Sequence, residues 1–354
     1  MWVGSERHIR ALPLRRAFCF RGIVREGRLM VHRVTRDDTT STVEGLRPFA
    51  GYLMYRSIIA DRPAEDWTFG ELAEHSVFNE ESILCGLDRL LELAEAGPVW
   101  YPVYDKAACT DDPEKADVRF WFFPADPKRK VPGAPFIIAC AGGAYKCVCT
   151  MIESIPVAAR LNALGYDVVI PNYRVGMEHV MPKPLEDVAA TYRAALARKE
   201  QLGLEGTSYV VCGFSAGGSL VSEWGVASVG YECFGIPAPR AIFSIYPSLS
   251  PWRCGPAYIA DIMFGPDATE ETYAPYDVPA HVNASYPPTY LLFGARDASV
   301  PVKNSVEFAR ALEEHGVPHR VEVAETAGHG FGDGRDTDAE GWPVRAIHFL
   351  EGLA

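Results

Sequence analysis

A serine framed by glycines, an aspartate and a histidine follow one another along this 354-residue chain, each shortly after an apolar run. Gly213-Phe214-Ser215-Ala216-Gly217 fits G-x-S-x-G and is followed by Gly218; it succeeds the run Tyr209–Cys212 and opens a helical pattern. A tight turn there holds the serine backbone under strain, and the flanking glycines let strand and helix approach, so the hydroxyl points outward. A serine hydroxyl is a weak nucleophile at neutral pH and needs a base, which in turn needs orienting. His329, in Gly328-His329-Gly330-Phe331-Gly332, follows the run Arg320–Ala324 and is the expected base. Asp297 follows Thr289–Gly294 and is the carboxylate expected to fix the histidine tautomer and stabilise the imidazolium. The order Ser215, Asp297, His329 spells acyl transfer. Read singly, Asp297 is also a helix-capping aspartate and His329 one of nine histidines. Asp333 is the reserve acid; His281 and His315 are reserve bases.

Acyl transfer also needs preorganised N–H donors for the developing oxyanion. Ala141-Gly142-Gly143-Ala144-Tyr145 follows an apolar run ending near Cys140, and small residues there let backbone approach a substrate. Gly143 and Ala144, with Ala216 after the serine, are the expected donors. Gly142, Tyr145, Phe214, Trp252 and Val300 are the expected substrate contacts. The bland alternative for 141–145 is a plain glycine turn. A phosphate cradle is not indicated, because neither G-x-G-x-x-G nor G-x-x-x-x-G-K-[ST] is present. Cys140, Cys147 and Cys149 give C-x6-C-x-C with no histidine at ligand spacing, so no metal is expected, and acyl transfer through a serine calls for no organic cofactor.

These residues need a scaffold, and the pattern supplies one. From Pro98 onward, Val99–Tyr104 and Val118–Phe123 read as a leading antiparallel pair. Strands then follow over Pro135–Ala141, Tyr166–Pro171, Tyr209–Gly213, Ala241–Tyr246, Thr289–Gly294 and Arg320–Ala324. Between and after them lie helices over Ile155–Leu164, Leu185–Leu202, from about Ala216, Val302–His315 and Val344–Leu353. Short strands alternating with longer helices define an α/β chain with a mostly parallel sheet covered on both faces. Such sheets place their chemistry at the carboxyl ends of the strands, where every motif named here falls. Residues 46–97 read as a helical extension, with Asn79–Gly97 placing Ile83, Leu84, Leu87, Leu90, Leu91 and Ala94 on one face. The Pro- and aromatic-rich segment Pro247–Pro288 interrupts two strands and reads as a cap-like insertion, or else as an excursion on the sheet edge. It and the helices of 46–97 are expected to roof the site.

Composition narrows the partners. With 48% hydrophobic and 23% charged residues the chain is of ordinary globular type, and its net charge of −12 argues against nucleic-acid binding. Residues 1–45 read as a poorly ordered leader, whose first 36 residues carry nine Arg against two Glu, with Met30 an alternative start. No secretory apolar core and no membrane-spanning run appear. Nine cysteines, an odd number, read as reduced thiols and place the protein in the cytoplasm; Cys140 and Cys212 in apolar runs read as small buried hydrophobes. The expected partner is a small ester, with homo-oligomerisation left open.

The stretch Ile137–Val175 with AGGAY, ESIPVAARLNALGY and PNYRV, then GFSAGG, YPPTYLLFGARDASVPVKNS and AGHGFG, resembles the α/β-hydrolase esterases. It is most similar to their acetyl-xylan-esterase-like and hormone-sensitive-lipase-like branch, over roughly residues 98–353. The resemblance implies the α/β-hydrolase fold over 98–354, with Ser215 as nucleophile, Asp297 as acid, His329 as base and the Gly143 region as oxyanion hole. It also implies hydrolysis of short acyl esters of small or sugar-like alcohols through an acyl-enzyme. One departure stands out: the family's HGGG or PGGG reads Ala141-Gly142-Gly143-Ala144 here, which preserves backbone donation if φ at the alanine is negative. Two rivals remain. A peptidase or amidase (prolyl-oligopeptidase-like or formamidase-like) uses the same triad, though the residues before 98 are too few for a propeller. A non-catalytic binding protein on the same fold is disfavoured because both Ser215 and His329 are kept.

Overall fold

A computed structural model describes residues 33–353, apart from 60 and 76. The main sheet has eight strands: β1 (Trp100–Pro102), β2 (Arg119–Phe123), β3 (Phe136–Cys140), β4 (Val168–Asn172), β5 (Tyr209–Phe214), β6 (Ile242–Ile245), β7 (Thr289–Gly294) and β8 (His319–Ala324). Their order across the sheet is β8-β7-β6-β5-β3-β4-β2-β1. β2 pairs antiparallel with both β1 and β4, and the other pairs are parallel. The expected leading pair is therefore present, and each parallel strand lies within a few residues of its expected span.

Both faces of the sheet are covered, which explains why its inner strands read as continuous apolar runs rather than alternating ones. Along β3, Ile137 and Ala139 join one buried cluster while Phe136, Ile138 and Cys140 join the other, the period of two that a pleated strand imposes. Helices Glu80–Ala96, Ser154–Ala163 and Trp342–Glu351 contribute to the first cluster. Helices Lys183–Ala197, Ala216–Trp224 and Lys303–Glu314 contribute to the second. The 80–96 helix starts where the Asn79 side chain accepts the Ser82 N–H at 3.0 Å. Two glutamates occupy its first turn and Gly97 ends it.

The reading of residues 46–97 as wholly helical needs correction. Around the 80–96 helix lie a 3-10 turn (Glu44–Phe49), a two-stranded hairpin (Ile58–Ile59 with Arg62–Pro63) and a short helix (Phe69–Glu74). Hydrophobic periodicity marks the long helix clearly but does not resolve elements of two to six residues. Residues 1–32 of the basic leader lie outside the described residues. Beyond them, Val34 is fully buried and donates its N–H to the Asp88 carboxylate at 3.1 Å, so the packed body begins before residue 46. The insertion folds into four short α-helices, Pro251–Cys254, Ala257–Phe264, Glu270–Tyr273 and Val278–His281, with a 3-10 turn over Ala274–Tyr276. It is tied down by Val180 and Met181 N–H groups donating to the Ile262 and Met263 carbonyls. Among the described residues, no helix is long and apolar enough to cross a membrane.

Candidate active site

Register brings the motifs together. Cys140 of β3 pairs with Gly213 of β5, so the glycine loop and the serine turn leave the sheet side by side. Ala324 of β8 pairs with Gly294 of β7, and Ala295 and Arg296 donate N–H groups to the Ala324 and Ala327 carbonyls. That lock sets the aspartate and histidine loops beside each other.

Ser215 sits at φ 52°, ψ −120°, between β5 and the helix Ala216–Trp224. A left-handed non-glycine residue is strained, and neighbouring contacts must hold it there. One of them is the Ser215 N–H donating to the Ile245 carbonyl at 3.0 Å. Gly217 is required by packing, since a Cβ on it would lie 2.2 Å from the Cys140 carbonyl oxygen. The Ser215 hydroxyl lies 2.8 Å from His329 Nε2, and His329 Nδ1 lies 2.7 Å from Asp297 Oδ2. The other aspartate oxygen accepts the N–H groups of Ser299 (2.9 Å) and Val300 (2.7 Å). Asp297 therefore both orients the histidine and closes its own loop. Its side chain is 4% exposed and that of His329 is 19% exposed, so the imidazole still meets solvent.

The glycine loop has an unusual backbone. Gly143 adopts φ 131°, and a Cβ there would lie 2.2 Å from the Cys147 carbonyl oxygen. The Gly143 carbonyl accepts the N–H groups of Lys146 (3.0 Å) and Cys147 (3.2 Å). Ala144 and Tyr145 follow at φ 55° and 60°. The condition of a negative φ at the alanine is not met at Ala144: the turn folds back on itself and forces both residues into the left-handed region. Among the described residues, the N–H groups of Gly143, Ala144 and Ala216 have no acceptor. The Gly142 N–H, by contrast, donates to Glu153 Oε2 at 2.5 Å.

The expected substrate contacts fare unevenly. Phe214 is fully buried, with Trp342 edge-on at 6.1 Å and Tyr246 tilted at 6.1 Å, because alternation along β5 turns it into the core. Tyr145 is also fully buried, its hydroxyl donating to Glu223 at 3.3 Å. Burial pushes the Glu223 carboxyl up to about 8, against the Tyr145 hydrogen bond. Neither ring is exposed. Trp252 stacks on Tyr273 at 4.8 Å within the aromatic cluster of the insertion. Val300 is buried and enters through its N–H to Asp297. Of the reserves, Asp333 is buried against Arg160 (2.9 Å) and Ser82 (2.8 Å), and His281 bonds the Ala274 carbonyl. His315 ends the helix Lys303–Glu314. None of the three joins the serine.

Two groups at the site escaped the sequence reading, Glu153 and Tyr246. Glu153 is buried beneath the glycine loop, where Oε2 holds the Gly142 N–H and Oε1 accepts the Tyr246 hydroxyl at 3.2 Å. Tyr246 lies with its ring against His329 (5.1 Å) and Phe331 (4.6 Å), and its oxygen accepts the Gly332 N–H at 3.2 Å. Burial pushes the Glu153 carboxyl up to about 7, opposed by the Gly142 hydrogen bond, the His329 charge and Tyr246. One carboxylate thus braces both the glycine loop and the histidine loop. The signal was available: Glu153 is the sole ionisable residue in Met151–Ala158. Tyr246 had none, being one aromatic among many. Flanking segments reach the same edge, with Val77 and Phe78 against Gly330 and Gly332, and Lys146 over the Tyr258 ring at 4.8 Å.

An eight-stranded, mostly parallel sheet with a serine–histidine–aspartate chain at its carboxyl edge is the layout of the α/β hydrolases. Residues 142–333, more than half of the chain, match the family of the alpha/beta hydrolase fold, and the protein belongs to it. Among known proteins, the chain is 26% identical over 215 residues to endo-1,4-beta-xylanase B of Butyrivibrio fibrisolvens, which covers 58% of this chain. The match spans only about a third (34%) of that relative's length. Esterase LipI of Mycobacterium tuberculosis is 23% identical over 69% of this chain and 75% of its own. Among solved structures, the acetyl ester-xyloside bifunctional hydrolase of Caldicellulosiruptor lactoaceticus superposes with a TM-score of 0.62 at 25% identity. It covers 72% of this chain and 96% of its own. The resemblance drawn from the motifs therefore stands.

Proposed function

We propose that the protein is a serine carboxylic-ester hydrolase that works through an acyl-enzyme. The observation that carries this reading is the unbroken hydrogen-bonded chain from the Ser215 hydroxyl through His329 to Asp297. His329 Nε2 takes the hydroxyl proton as Ser215 attacks the ester carbonyl, and Asp297 holds the Nδ1–H tautomer. The tetrahedral oxyanion falls to the N–H groups of Gly143, Ala144 and Ala216, whose freedom from other acceptors in the described residues supports that role. His329 then protonates the departing alcohol, and water repeats the cycle on the acyl-serine. The step uses no metal or organic cofactor.

A short acyl group, acetyl above all, on a small or sugar-like alcohol is the substrate we favour. The acetyl ester hydrolase and the xylanase among its relatives support this choice. The segments 46–97 and 247–288 are the proposed roof, supported by Val77 and Phe78 against the histidine loop and by Lys146 over Tyr258. Free cysteines, two of them (Cys140 and Cys212) buried, support a reducing, cytoplasmic setting.

The test compares hydrolysis of acetyl, butyryl and octanoyl nitrophenyl esters by the wild type and Ser215→Ala, with an aryl-formamide and a peptide substrate alongside. Esterase activity that falls with acyl length and vanishes in the variant is expected. Equal rates in the two proteins end the proposal, and preference for the amide substrates moves it to an amidase.

A further inference from the structure

Cys147 and Cys149 differ from the other cysteines whose surroundings are described. Cys140 and Cys212 are fully buried in β3 and β5. Burial pushes the Cys85 thiol up to about 11. Cys147 and Cys149 are partly exposed, and their sulfur atoms lie 3.8 Å apart. The Cys149 thiol can donate to Cys147 and holds it below the ordinary thiol range, helped by Ser57 and by the Lys146 charge against burial and Glu153. Cys149, as the donor, moves the other way. One sulfur is thus prepared to attack and the other to resolve.

The pair is built into the glycine loop. As a thiol, Cys147 Sγ donates to the Gly143 carbonyl at 3.4 Å, which also accepts the Cys147 N–H, while the Cys149 N–H donates to the Gly142 carbonyl at 3.0 Å. Val148 between them pairs with Tyr55. We propose that Cys147 and Cys149 form a modification site for hydroperoxides, whose closure to a disulfide switches off the adjoining oxyanion loop. The consequence for activity rests on the esterase reading.

The chemistry balances with the peroxide as oxidant. The Cys147 thiolate attacks a peroxide oxygen, the O–O bond breaks, and the peroxide is reduced to an alcohol, or to water from hydrogen peroxide, taking up a proton. Cys147 becomes a sulfenic acid, oxidised by two electrons. The Cys149 sulfur attacks it, an S–S bond forms and the S–O bond breaks; the hydroxide leaves with the Cys149 proton as water. Residues two positions apart keep their Cα atoms within the roughly 7 Å reach of a bridge. The sulfurs must close from 3.8 Å to about 2.05 Å. That motion breaks the Cys147–Gly143 contact and moves a Cys147 peptide already packed against the Gly143 Cα. It therefore displaces the proposed oxyanion donors.

The experiment treats the full chain with tert-butyl hydroperoxide and follows nitrophenyl acetate turnover. Peptide mapping of residues 147–149 and fluorophosphonate labelling of Ser215 run beside it. Wild type is expected to lose at least about a hundredfold in kcat, the cost of losing one oxyanion donor. The loss should track removal of two hydrogens from that peptide, and dithiothreitol should restore both. Each variant is compared with its own untreated rate: Cys147→Ala should resist the peroxide, and Cys149→Ala should stop at a dimedone-trappable sulfenic acid. Inactivation with both thiols still free, a disulfide that leaves turnover and labelling unchanged, or inactivation that persists in Cys147→Ala overturns the proposal. An untreated wild type without esterase activity sinks the esterase reading alone, because the bridge and the labelling of Ser215 are scored independently.

Discussion

Replacing Glu153 by glutamine tests whether a buried carboxyl braces both the glycine loop and the histidine loop at a cost in stability. Glu153 ordinarily ionises near 4.5, and burial lifts it to about 7 in the folded protein. Through that window the folded state holds a proton that the unfolded chain has released, so stability is full below about 4.5 and falls as pH rises through about 7. The interval corresponds to about 3 kcal/mol. Glutamine carries no such charge, so its stability does not decline by this route. Its cost is of another kind. Gly142 N–H and the Tyr246 hydroxyl both donate to Glu153, and an amide offers a single oxygen. An NH2 group cannot accept as a carboxylic OH still can, so one buried donor goes unpaired at about 1–3 kcal/mol. Glu153→Gln should therefore be the less stable protein near pH 4.5, and the difference should shrink or reverse by about pH 8. Urea unfolding of both proteins at stepped pH reads this directly, since every other titrating group is common to the two. A gap that stays constant or widens as pH rises would refute the reasoning.

Other expectations follow from the same contacts. Asp297→Asn must keep an oxygen toward the Ser299 and Val300 N–H groups, which turns NH2 toward His329 Nδ1 and imposes the wrong tautomer. Steady-state kinetics should show kcat falling about 10⁴-fold with KM little changed. Ala144→Gly relieves a left-handed alanine at φ 55°. It should raise stability by about 1 kcal/mol in denaturant titrations while keeping activity. Gly143→Ala places a methyl 2.2 Å from the Cys147 carbonyl oxygen and should lose at least about a hundredfold in kcat. Asp187 is fully buried and receives Arg174 through both N–H and guanidinium. Asp187→Ala leaves that cation short of its main partner and should destabilise by about 3–5 kcal/mol in urea unfolding.

Much of the architecture was legible because it is written in periodicity. Runs such as Phe136–Cys140 and Thr289–Gly294 are apolar on both faces, and helix Glu80–Ala96 carries its cap, acidic first turn and stop in local sequence. The hairpin at Ile58–Ile59 and the short helices of the insertion were not legible, since elements of two to eight residues scarcely complete a periodic pattern. Phe214 and Tyr145 show a sharper limit: adjacency to a motif says nothing of which way a side chain points. Alternation along β5 and the fold-back after Gly143 sent both rings into the core.

By itself, the sequence determined the residue types able to perform acyl transfer, their order, and their position just beyond strand ends. Those features are local, carried by glycine spacing and apolar runs that any copy of the segment would keep. Tertiary structure alone decided that Asp297 and His329 meet, through the pairing of Ala324 with Gly294, and that Glu153 lies beneath Gly142. It alone set the Cys147 and Cys149 sulfurs face to face on the same loop. Strand register and buried charge arise from contacts between segments far apart in the chain, and a local pattern holds no record of them.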